Sequence, residues 1–231
     1  MEARTVIVGD VHGCADELAS LVQQVGRQPG DRWVFVGDLV GRGPDTPGVL
    51  EQVRQLGAQV ALGNHEHRVL AAYEAREAGR AGPSLGPGHL ALLDRLGPED
   101  WALLRAMKPY LELPEHGLIV VHAGLDPRLP LPAQRLEVLI HMRSWDYGEP
   151  SARFREESWA SDYPGPTHVV FGHNARLGLQ LHPHATGVDS GCVYGERLSA
   201  LVLGPGERPL PPAERHQQIH QVKARRQYYG G

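Results

Sequence analysis

Short apolar runs rich in β-branched residues alternate with helical patterns along the first part of this chain. The runs that predict strands occupy residues 5–8, 33–36, 60–62, 118–121, 168–171 and 198–203. Between the first three runs apolar residues recur at helical spacing, as in Leu18, Leu21 and Val25. Strands that alternate with helices over such short distances pair in parallel. The pattern therefore predicts an α/β fold with a largely parallel sheet at its start.

Helix start and stop signals set the limits of the predicted helices. The first helix ends at Gly26, and the second starts with Thr46 as its N-cap and ends at Gly57. Two further helices are predicted at about residues 66–77 and 99–107. The segment 79–88 between them is rich in glycine and proline, and we interpret it as a surface insertion.

Length, charge and composition exclude several classes of protein. A chain of 231 residues with a formal charge of -4 suits one globular domain and lacks a basic nucleic-acid footprint. No apolar run reaches the ~18 residues of a membrane span, and no secretory leader precedes residue 5. Cys14 and Cys192 are too few for a disulfide framework. We expect a cytoplasmic protein that binds neither nucleic acid nor membrane, with its oligomeric state left open.

A composition change after residue 204 suggests how the chain is divided. Four prolines follow between positions 205 and 212, and a polar stretch then continues to the end of the sequence. The sequence predicts a catalytic domain over residues 1–204. It predicts a Pro-rich, then polar, C-terminal tail over residues 205–231 that carries one exposed helix at most.

Polar side chains follow five of the predicted strands at the points where the strands end. In chain order these residues are Asp10, His12, Asp38, Asn64, His122 and His173. The carboxyl ends of parallel strands border the crevice in which α/β sheets bind ligands. Glycines next to these side chains permit the close backbone approach that such loops require. We therefore expect the six side chains to meet at one edge of the sheet.

The residue types in this set favour divalent cations. Carboxylate, imidazole and amide oxygen are mixed O and N ligands that suit Mn, Fe, Co or Zn. Six ligands exceed the three or four of one catalytic zinc, but they suit two ions that share a carboxylate and clamp a phosphoryl group. Taken singly, each motif has an ordinary explanation, such as an N-cap asparagine or a strand-end histidine. The ordered series of five favours a dinuclear site.

The same motifs resemble those of the PPP-type metallophosphoesterases and follow the order found in that family. They occupy residues 9–13, 37–43, 63–66, 122–124 and 172–173. The resemblance implies a β-sandwich flanked by helices, with a dinuclear metal site at the carboxyl ends of the strands. Carried over by position, the implied ligands are Asp10 and His12 for one ion, Asp38 as the bridge, and Asn64, His122 and His173 for the other ion.

The resemblance also implies roles for residues beside the metals. His65 matches the general acid of the family, Arg42 matches its phosphate clamp, and Arg143 resembles a second clamp. We interpret Asp189 as a residue that hydrogen-bonds a metal ligand or fixes a loop, with a simple turn aspartate as the alternative. The implied cofactors are two divalent ions, Mn first, with Co, Fe or Zn as alternatives.

Gly41 indicates which branch of the family this chain resembles. Protein phosphatases of the family have an aspartate there that orients the catalytic histidine, so that Asp–His dyad does not form in this chain. A small residue at this position, together with the segment 187–195, is similar to the symmetrical diadenosine tetraphosphatase branch. This implies hydrolysis of dinucleoside polyphosphates, diadenosine tetraphosphate to two ADP, by in-line attack of a metal-bridging hydroxide.

Two other functions remain open from the sequence. One is a protein serine/threonine phosphatase or broad-specificity phosphomonoesterase on the same dinuclear site, against which Gly41 weighs. The other is a catalytically silent relative that binds nucleotides, against which the complete ligand set and His65 weigh. A nucleoside diphosphate is also a better leaving group than a serine alkoxide, so it depends less on a well-tuned acid.

Overall fold

The computed structural model describes residues 3–230. Residues 1 and 2 of the predicted catalytic domain and residue 231 of the predicted tail lie outside this range. The helices α1 to α7 are Ala15–Val25, Thr46–Gln55, Asn64–Glu77, Pro87–Leu90, Leu92–Arg95, Pro98–Ala106 and Leu136–His141. The strands β1 to β12 are Thr5–Val8, Arg32–Phe35, Gln59–Val60, Tyr110–Leu113, Leu118–Val121, Ser144–Asp146, Glu149–Ser151, His168–Phe171, Gln180–Leu181, Ala185–Gly187, Arg197–Leu203 and Ile219–Lys223. Strands and helices alternate up to α3, as the sequence pattern predicts.

Two five-stranded sheets form the centre of the fold. The first has the order β12-β11-β1-β2-β3, in which β1, β2 and β3 are parallel and β11 and β12 are antiparallel. The second has the order β4-β5-β8-β10-β9, with β5, β8 and β10 parallel between two antiparallel edge strands. A separate hairpin joins β6 to β7. The predicted α/β sandwich flanked by helices is confirmed.

Alternate residues of the buried strands pack into different clusters of apolar side chains. Val6 and Val8 of β1 pack in the cluster that contains Leu18 of α1, whereas Ile7 packs in the cluster between the two sheets. In the second sheet Val170 joins the core between the sheets. Both faces of the central strands are therefore buried, which explains why these strands are continuous apolar runs rather than alternating ones.

The carboxyl ends of strands from both sheets meet at one place. The Nδ1 of His122, directly after β5, donates to the backbone oxygen of Val36, directly after β2, at 2.9 Å. The backbone N–H of His173, which follows β8, donates to both carboxylate oxygens of Asp10 after β1, at 3.1 and 3.2 Å. These contacts join the two sheets at the edge where the sequence predicts a site.

The structure differs from the sequence expectations in two segments. The predicted surface insertion leads into two short helices, α4 and α5, which lie between it and α6. In the C-terminal segment, 3-10 helix Arg215–Gln218 and strand β12 take the place of an exposed α-helix. The strand forms there because β11 otherwise leaves an open edge, and Val222 pairs with Leu198 in antiparallel register. The division at residue 204 stays a prediction.

Within residues 3–230 we find no helix whose length and hydropathy would let it cross a membrane.

One buried arginine fastens the C-terminal segment to the second sheet. The side chain of Arg215 is 1% exposed and donates to the backbone oxygens of Leu210, His182 and Ala185 at 2.8 to 3.0 Å. It also donates to the hydroxyl of Thr186 at 2.9 Å. All four acceptors lose a charged donor if this side chain is removed, and buried unpaired oxygens are costly.

We predict that Arg215→Ala lowers the free energy of unfolding by about 3 kcal/mol, because it leaves buried acceptors unpaired and opens a cavity. Urea denaturation monitored by circular dichroism measures this change. Arg80→Ala is the control, since Arg80 is exposed, and it should change stability by less than about 0.5 kcal/mol. Equal stability of the two variants would contradict the role given to Arg215.

Candidate metal centre

Unusual backbone conformations hold several predicted site residues in place. His12, Asp38, Arg42 and His173 have φ values of 48, 50, 63 and 67°. Residues other than glycine rarely adopt this left-handed region, and each instance costs about 1–3 kcal/mol. Such strain persists only where the surrounding structure enforces it, and it concentrates at functional sites. Four strained residues in three separate loops therefore mark this edge of the sheets.

A buried carboxylate lies at the centre of the site. Asp38 is 2% exposed, and its Oδ2 lies 3.5 Å from Nε2 of His12, 3.5 Å from Nε2 of His122 and 4.0 Å from Nε2 of His65. Its Oδ1 accepts the backbone N–H of His65 at 3.0 Å. Asp38 thus belongs to two groups of side chains, one with His12 and His65 and one with His122 and His173.

The second group adds the predicted asparagine. Nε2 of His122 lies 3.0 Å from Oδ1 of Asn64 and 3.1 Å from Nδ1 of His173. Because Nδ1 of His122 already donates to the backbone of Val36, its Nε2 carries a lone pair in the neutral ring. A lone pair, an amide oxygen and a carboxylate oxygen therefore face one another across distances of 3.0 to 3.5 Å.

This arrangement fits cations better than it fits hydrogen bonding alone. Facing acceptor atoms repel unless a proton or a positive charge lies between them. Atoms that bind one cation at about 2.0–2.2 Å lie roughly 3 Å from each other, which matches the spacing around His122. Nε2 of His173 is buried and has no hydrogen-bond partner among residues 3–230, whereas Nδ1 of the same ring lies against Nε2 of His122.

Asp10 lies beside these two groups rather than within either of them. It is 3% exposed, and its contact with the backbone of His173 places it against the second group. Gly172 permits this approach, because a Cβ at that position would lie 2.0 Å from Oδ1 of Asp10. The structure thus brings five predicted ligands into direct proximity and sets Asp10 alongside them.

The electrostatics of the site suit metal binding. Burial alone would raise the pKa of Asp38, but the imidazoles of His122, His65 and His12 lower it well below its usual range. Burial lowers the pKa values of His12 and His173 well below normal and so favours the neutral rings, the state in which imidazole binds a metal. Burial would lower the pKa of His122 as well, but the charge of Asp38 raises it.

Glu66 is a structural element of the site to which the sequence analysis gave no role. Its fully buried carboxylate accepts the backbone N–H groups of Asp38 and Val40, both at 2.9 Å, and so fixes the loop after β2. Burial and the charge of Asp38 raise its pKa to about 7. A Cβ at Gly63 would lie 2.4 Å from both Asp38 Oδ1 and Glu66 Oε2. The loop tolerates only glycine at that point.

The two predicted arginines flank the site. Arg42 donates from Nη1 to Nε2 of His12 at 2.8 Å, which agrees with a His12 ring protonated at Nδ1 towards Val40. Arg143 donates to the backbone oxygens of Ala152 at 3.3 Å and His173 at 3.5 Å. Both guanidinium groups line the same cavity as Asp38 and Asn64.

This cavity has a volume of about 800 Å³, which lies within the range of about 300–1,000 Å³ typical of small-molecule sites. Aromatic and cationic side chains share its wall. The Cζ of Arg42 lies 5.5 Å from the ring centres of both Tyr194 and Tyr229, and the Cζ of Arg176 lies 5.1 Å from that of Phe154. Neither Trp159 nor Tyr147 lines this cavity, because Trp159 is buried in a hydrophobic core with Phe171 and Tyr147 is fully exposed elsewhere.

Asp189 fixes the loop that follows β10. It is 5% exposed, and its Oδ1 accepts the backbone N–H of Gly191 at 3.1 Å. Burial is the main reason that its pKa rises to about 6, and the charge of Asp38 adds to this shift. Its own charge in turn raises the pKa of Asp10. The geometry favours the loop-fixing interpretation of this residue.

Comparison with known proteins gives consistent similarities. The family model described as calcineurin-like phosphoesterase matches residues 3–202. A Shewanella sediminis protein named symmetrical bis(5'-nucleosyl)-tetraphosphatase is 40% identical over 146 residues, which cover 61% of this chain and 52% of that protein. Over that match the chain thus spans about half the length of its relative. A Shigella dysenteriae protein of the same name is 36% identical over 282 residues, covering 95% of this chain and 98% of that protein.

A solved structure is similar across the whole fold. A crystal structure described as a candidate diadenosine tetraphosphatase superposes with a TM-score of 0.82 and 33% sequence identity. The superposition covers 100% of this chain and 96% of the other. The similarity therefore includes the C-terminal segment as well as the part matched by the family model.

We predict that Mn²⁺ raises the thermal midpoint of the protein, since a ligand that binds only the folded state stabilises it by about 2.7 kcal/mol at one hundred times its Kd. Asp38→Asn should abolish the shift because it removes the carboxylate shared by both groups. Differential scanning fluorimetry with and without Mn²⁺ measures it. Asp126→Asn is the control, a buried aspartate hydrogen-bonded to Arg128 outside the site, and it should keep the shift. A full shift in Asp38→Asn would exclude the assignment of the metal centre.

Proposed function

The chain belongs to the calcineurin-like phosphoesterase family, and from that premise we propose that it hydrolyses dinucleoside polyphosphates, converting diadenosine tetraphosphate to two ADP. The observation that carries the proposal is the buried carboxylate of Asp38, shared by two groups of potential ligands beside a cavity of about 800 Å³. The names of the relatives from Shewanella sediminis and Shigella dysenteriae support the choice of substrate.

Members of this family use divalent metals in a dinuclear site. We assign the ligands of this chain as Asp10 and His12 for one ion, Asp38 as the bridge, and Asn64, His122 and His173 for the other. Mixed oxygen and nitrogen donors suit Mn²⁺, and Co, Fe or Zn share this preference. The neutral state of His12 and His173 supports the assignment, because only an unprotonated imidazole nitrogen binds a metal.

Divalent cations in this site would lower the pKa of water and polarise the phosphoryl group. The remaining steps are carried out by side chains. Arg42 and Arg143 bind the phosphoryl oxygens and offset the charge that develops on them. His65, whose Nε2 lies 4.0 Å from Oδ2 of Asp38, donates from that nitrogen to the leaving oxygen. A water attacks in line with the departing nucleoside diphosphate, so a covalent phospho-enzyme is not required.

The cavity wall supports a nucleotide substrate. Arg42, Arg143 and Arg176 supply positive charge for several phosphates, and Tyr194 and Phe154 present aromatic rings beside two of these guanidinium groups. Aromatic rings and guanidinium planes are the side chains on which nucleobases stack. A substrate with bases at the ends of a phosphate chain matches this distribution. The cytoplasmic location and the lack of a nucleic-acid or membrane partner are proposals from the sequence.

We predict that the Mn²⁺-loaded protein converts diadenosine tetraphosphate to ADP alone, because the attack proposed here splits the middle of the phosphate chain. Anion-exchange chromatography of the products measures this result. In water enriched in oxygen-18, one of the two ADP products should carry one label on its terminal phosphate. The appearance of ATP and AMP would contradict symmetrical cleavage, and a phospho-enzyme trapped by acid quench would contradict direct attack by water.

We predict that His65→Asn lowers kcat by about 10²–10⁴, the range typical of a group that donates to the leaving atom. The thermal shift with Mn²⁺ should remain, because the backbone N–H at this position still donates to Asp38. Steady-state kinetics on diadenosine tetraphosphate measures the loss. His67→Asn on the same helix is the control and should keep near-normal turnover. Unchanged kcat in His65→Asn would exclude His65 as the donor.

A further inference from the structure

An imidazole that must donate from one nitrogen needs a partner that fixes the other nitrogen. The geometry points to His89 as that partner. We propose that its Nε2–H donates a hydrogen bond to Nδ1 of His65, which makes His89 a positioning residue that keeps the proton of His65 on Nε2, towards the leaving oxygen. This inference rests on the donor role of His65 in the proposed function.

The contact between the two rings is short and edge-on. Nδ1 of His65 lies 2.8 Å from Nε2 of His89, and the ring centres are 4.6 Å apart at an interplanar angle of 61°. His65 also contacts His12, with ring centres 4.6 Å apart at 65°. His65 is therefore fixed between a predicted metal ligand and His89, with its Nε2 facing Asp38.

Gly41 is the residue that leaves space for this contact. A Cβ at position 41 would lie 2.5 Å from Nε2 of His89 and 3.4 Å from Nδ1 of His65. Gly41 also has a φ of +79°, which other residues rarely adopt. Any side chain at position 41 would therefore occupy the position of the His89 ring. The absence of a side chain at Gly41 and the presence of His89 are two parts of one arrangement.

The segment that carries His89 presents mainly this side chain to the site. His89 is partly buried on the short helix α4, while its neighbour Leu90 is 55% exposed. Arg68 of α3 anchors the preceding loop by donating to the backbone oxygen of Ser84 at 2.6 and 3.0 Å. The segment that the sequence predicts to be a surface insertion therefore leads to one imidazole that lies next to the proposed donor.

The position of the shared proton decides what His65 can donate to the leaving oxygen. The two rings contact each other through Nδ1 of His65 and Nε2 of His89, 2.8 Å apart. Two neutral imidazoles that face each other through one nitrogen each share a single proton in that contact. With that proton on His89, Nε2 of His65 carries its own proton and stabilises the leaving oxygen by a hydrogen bond. The nucleoside diphosphate then departs as an anion and no proton is consumed.

Two variants of His89 separate hydrogen bonding from packing. His89→Leu keeps a side chain of similar bulk without a donor, and His89→Gln places an amide N–H at the reach of the lost Nε2–H. We predict that His89→Leu lowers kcat for diadenosine tetraphosphate by about 10- to 100-fold, the range for residues that orient a functional group, with KM changed less than about threefold. His89→Gln should recover most of this loss.

Leu90→Ala is the matched control, because it changes the exposed neighbour on the same helix and should leave kcat unchanged. Thermal midpoints in the presence of Mn²⁺ should agree among all four proteins. If His89→Gln is as impaired as His89→Leu, or if His89→Leu retains normal kcat, the proposed hydrogen bond does not contribute to turnover and the inference is wrong.

A spectroscopic measurement tests the pair without turnover. In protein labelled with ¹⁵N at histidine and loaded with Zn²⁺, which is diamagnetic, the His65 signals should show protonated Nε2 and unprotonated Nδ1. The spectrum of His65→Asn assigns these signals. In His89→Leu the Nδ1 signal should shift because its donor is lost. Protonation of His65 at Nδ1 would overturn the inference even if the protein proved to hydrolyse another substrate, and failure of the proposed substrate would leave the measurement unaffected.

Discussion

The charge of one buried carboxylate determines how the rest of this site is built. Removing an ionised carboxyl group from water is costly unless opposite charges and hydrogen bonds compensate it. Around Asp38 the backbone N–H of His65 supplies a hydrogen bond, and three imidazole nitrogens lie within 4.0 Å of the carboxylate. The requirement brings strand ends from both sheets together and accounts for strained backbone in the loops after β1, β2 and β8. Divalent cations would meet the same requirement more completely, because they add positive charge where acceptor atoms already face one another.

The sandwich and the site depend on each other. His12 and Asp38 come from the first sheet, His122 and His173 from the second, and the contacts that join the sheets at this edge are made by the same residues or their neighbours. A change in packing between the sheets would therefore move one half of the ligand set relative to the other. The core between the sheets consists of buried aliphatic side chains such as Val34 and Val170, and such close packing resists relative movement of the sheets.

The sequence was sufficient for those features that depend on local pattern. Continuous apolar runs identified β1, β5 and β8 because both faces of these strands are buried, and each polar ligand follows its strand within a few residues. The strand β12 was missed because its five residues are only partly buried or exposed, and it pairs because β11 offers an open edge. Glu66 lay inside a recognised motif, but its role depends on backbone groups 26 and 28 residues away. His89 gave no signal at all, because its contact with His65 arises from the course of a glycine-rich loop.

The contact between His65 and His89 also bears on the choice between phosphate anhydrides and phosphate esters. A carboxylate partner would favour a protonated imidazole, which can pass a full proton to a poor leaving group such as an alkoxide. A neutral imidazole partner provides no such charge, and burial lowers the pKa values of both rings. A neutral His65 offers a hydrogen bond, which suffices for a leaving group that is already stable as an anion. Nucleoside diphosphates meet this condition and serine alkoxides do not. The residue at position 41 and the insertion that carries His89 therefore favour the same class of substrate as the arginines and aromatic rings of the cavity.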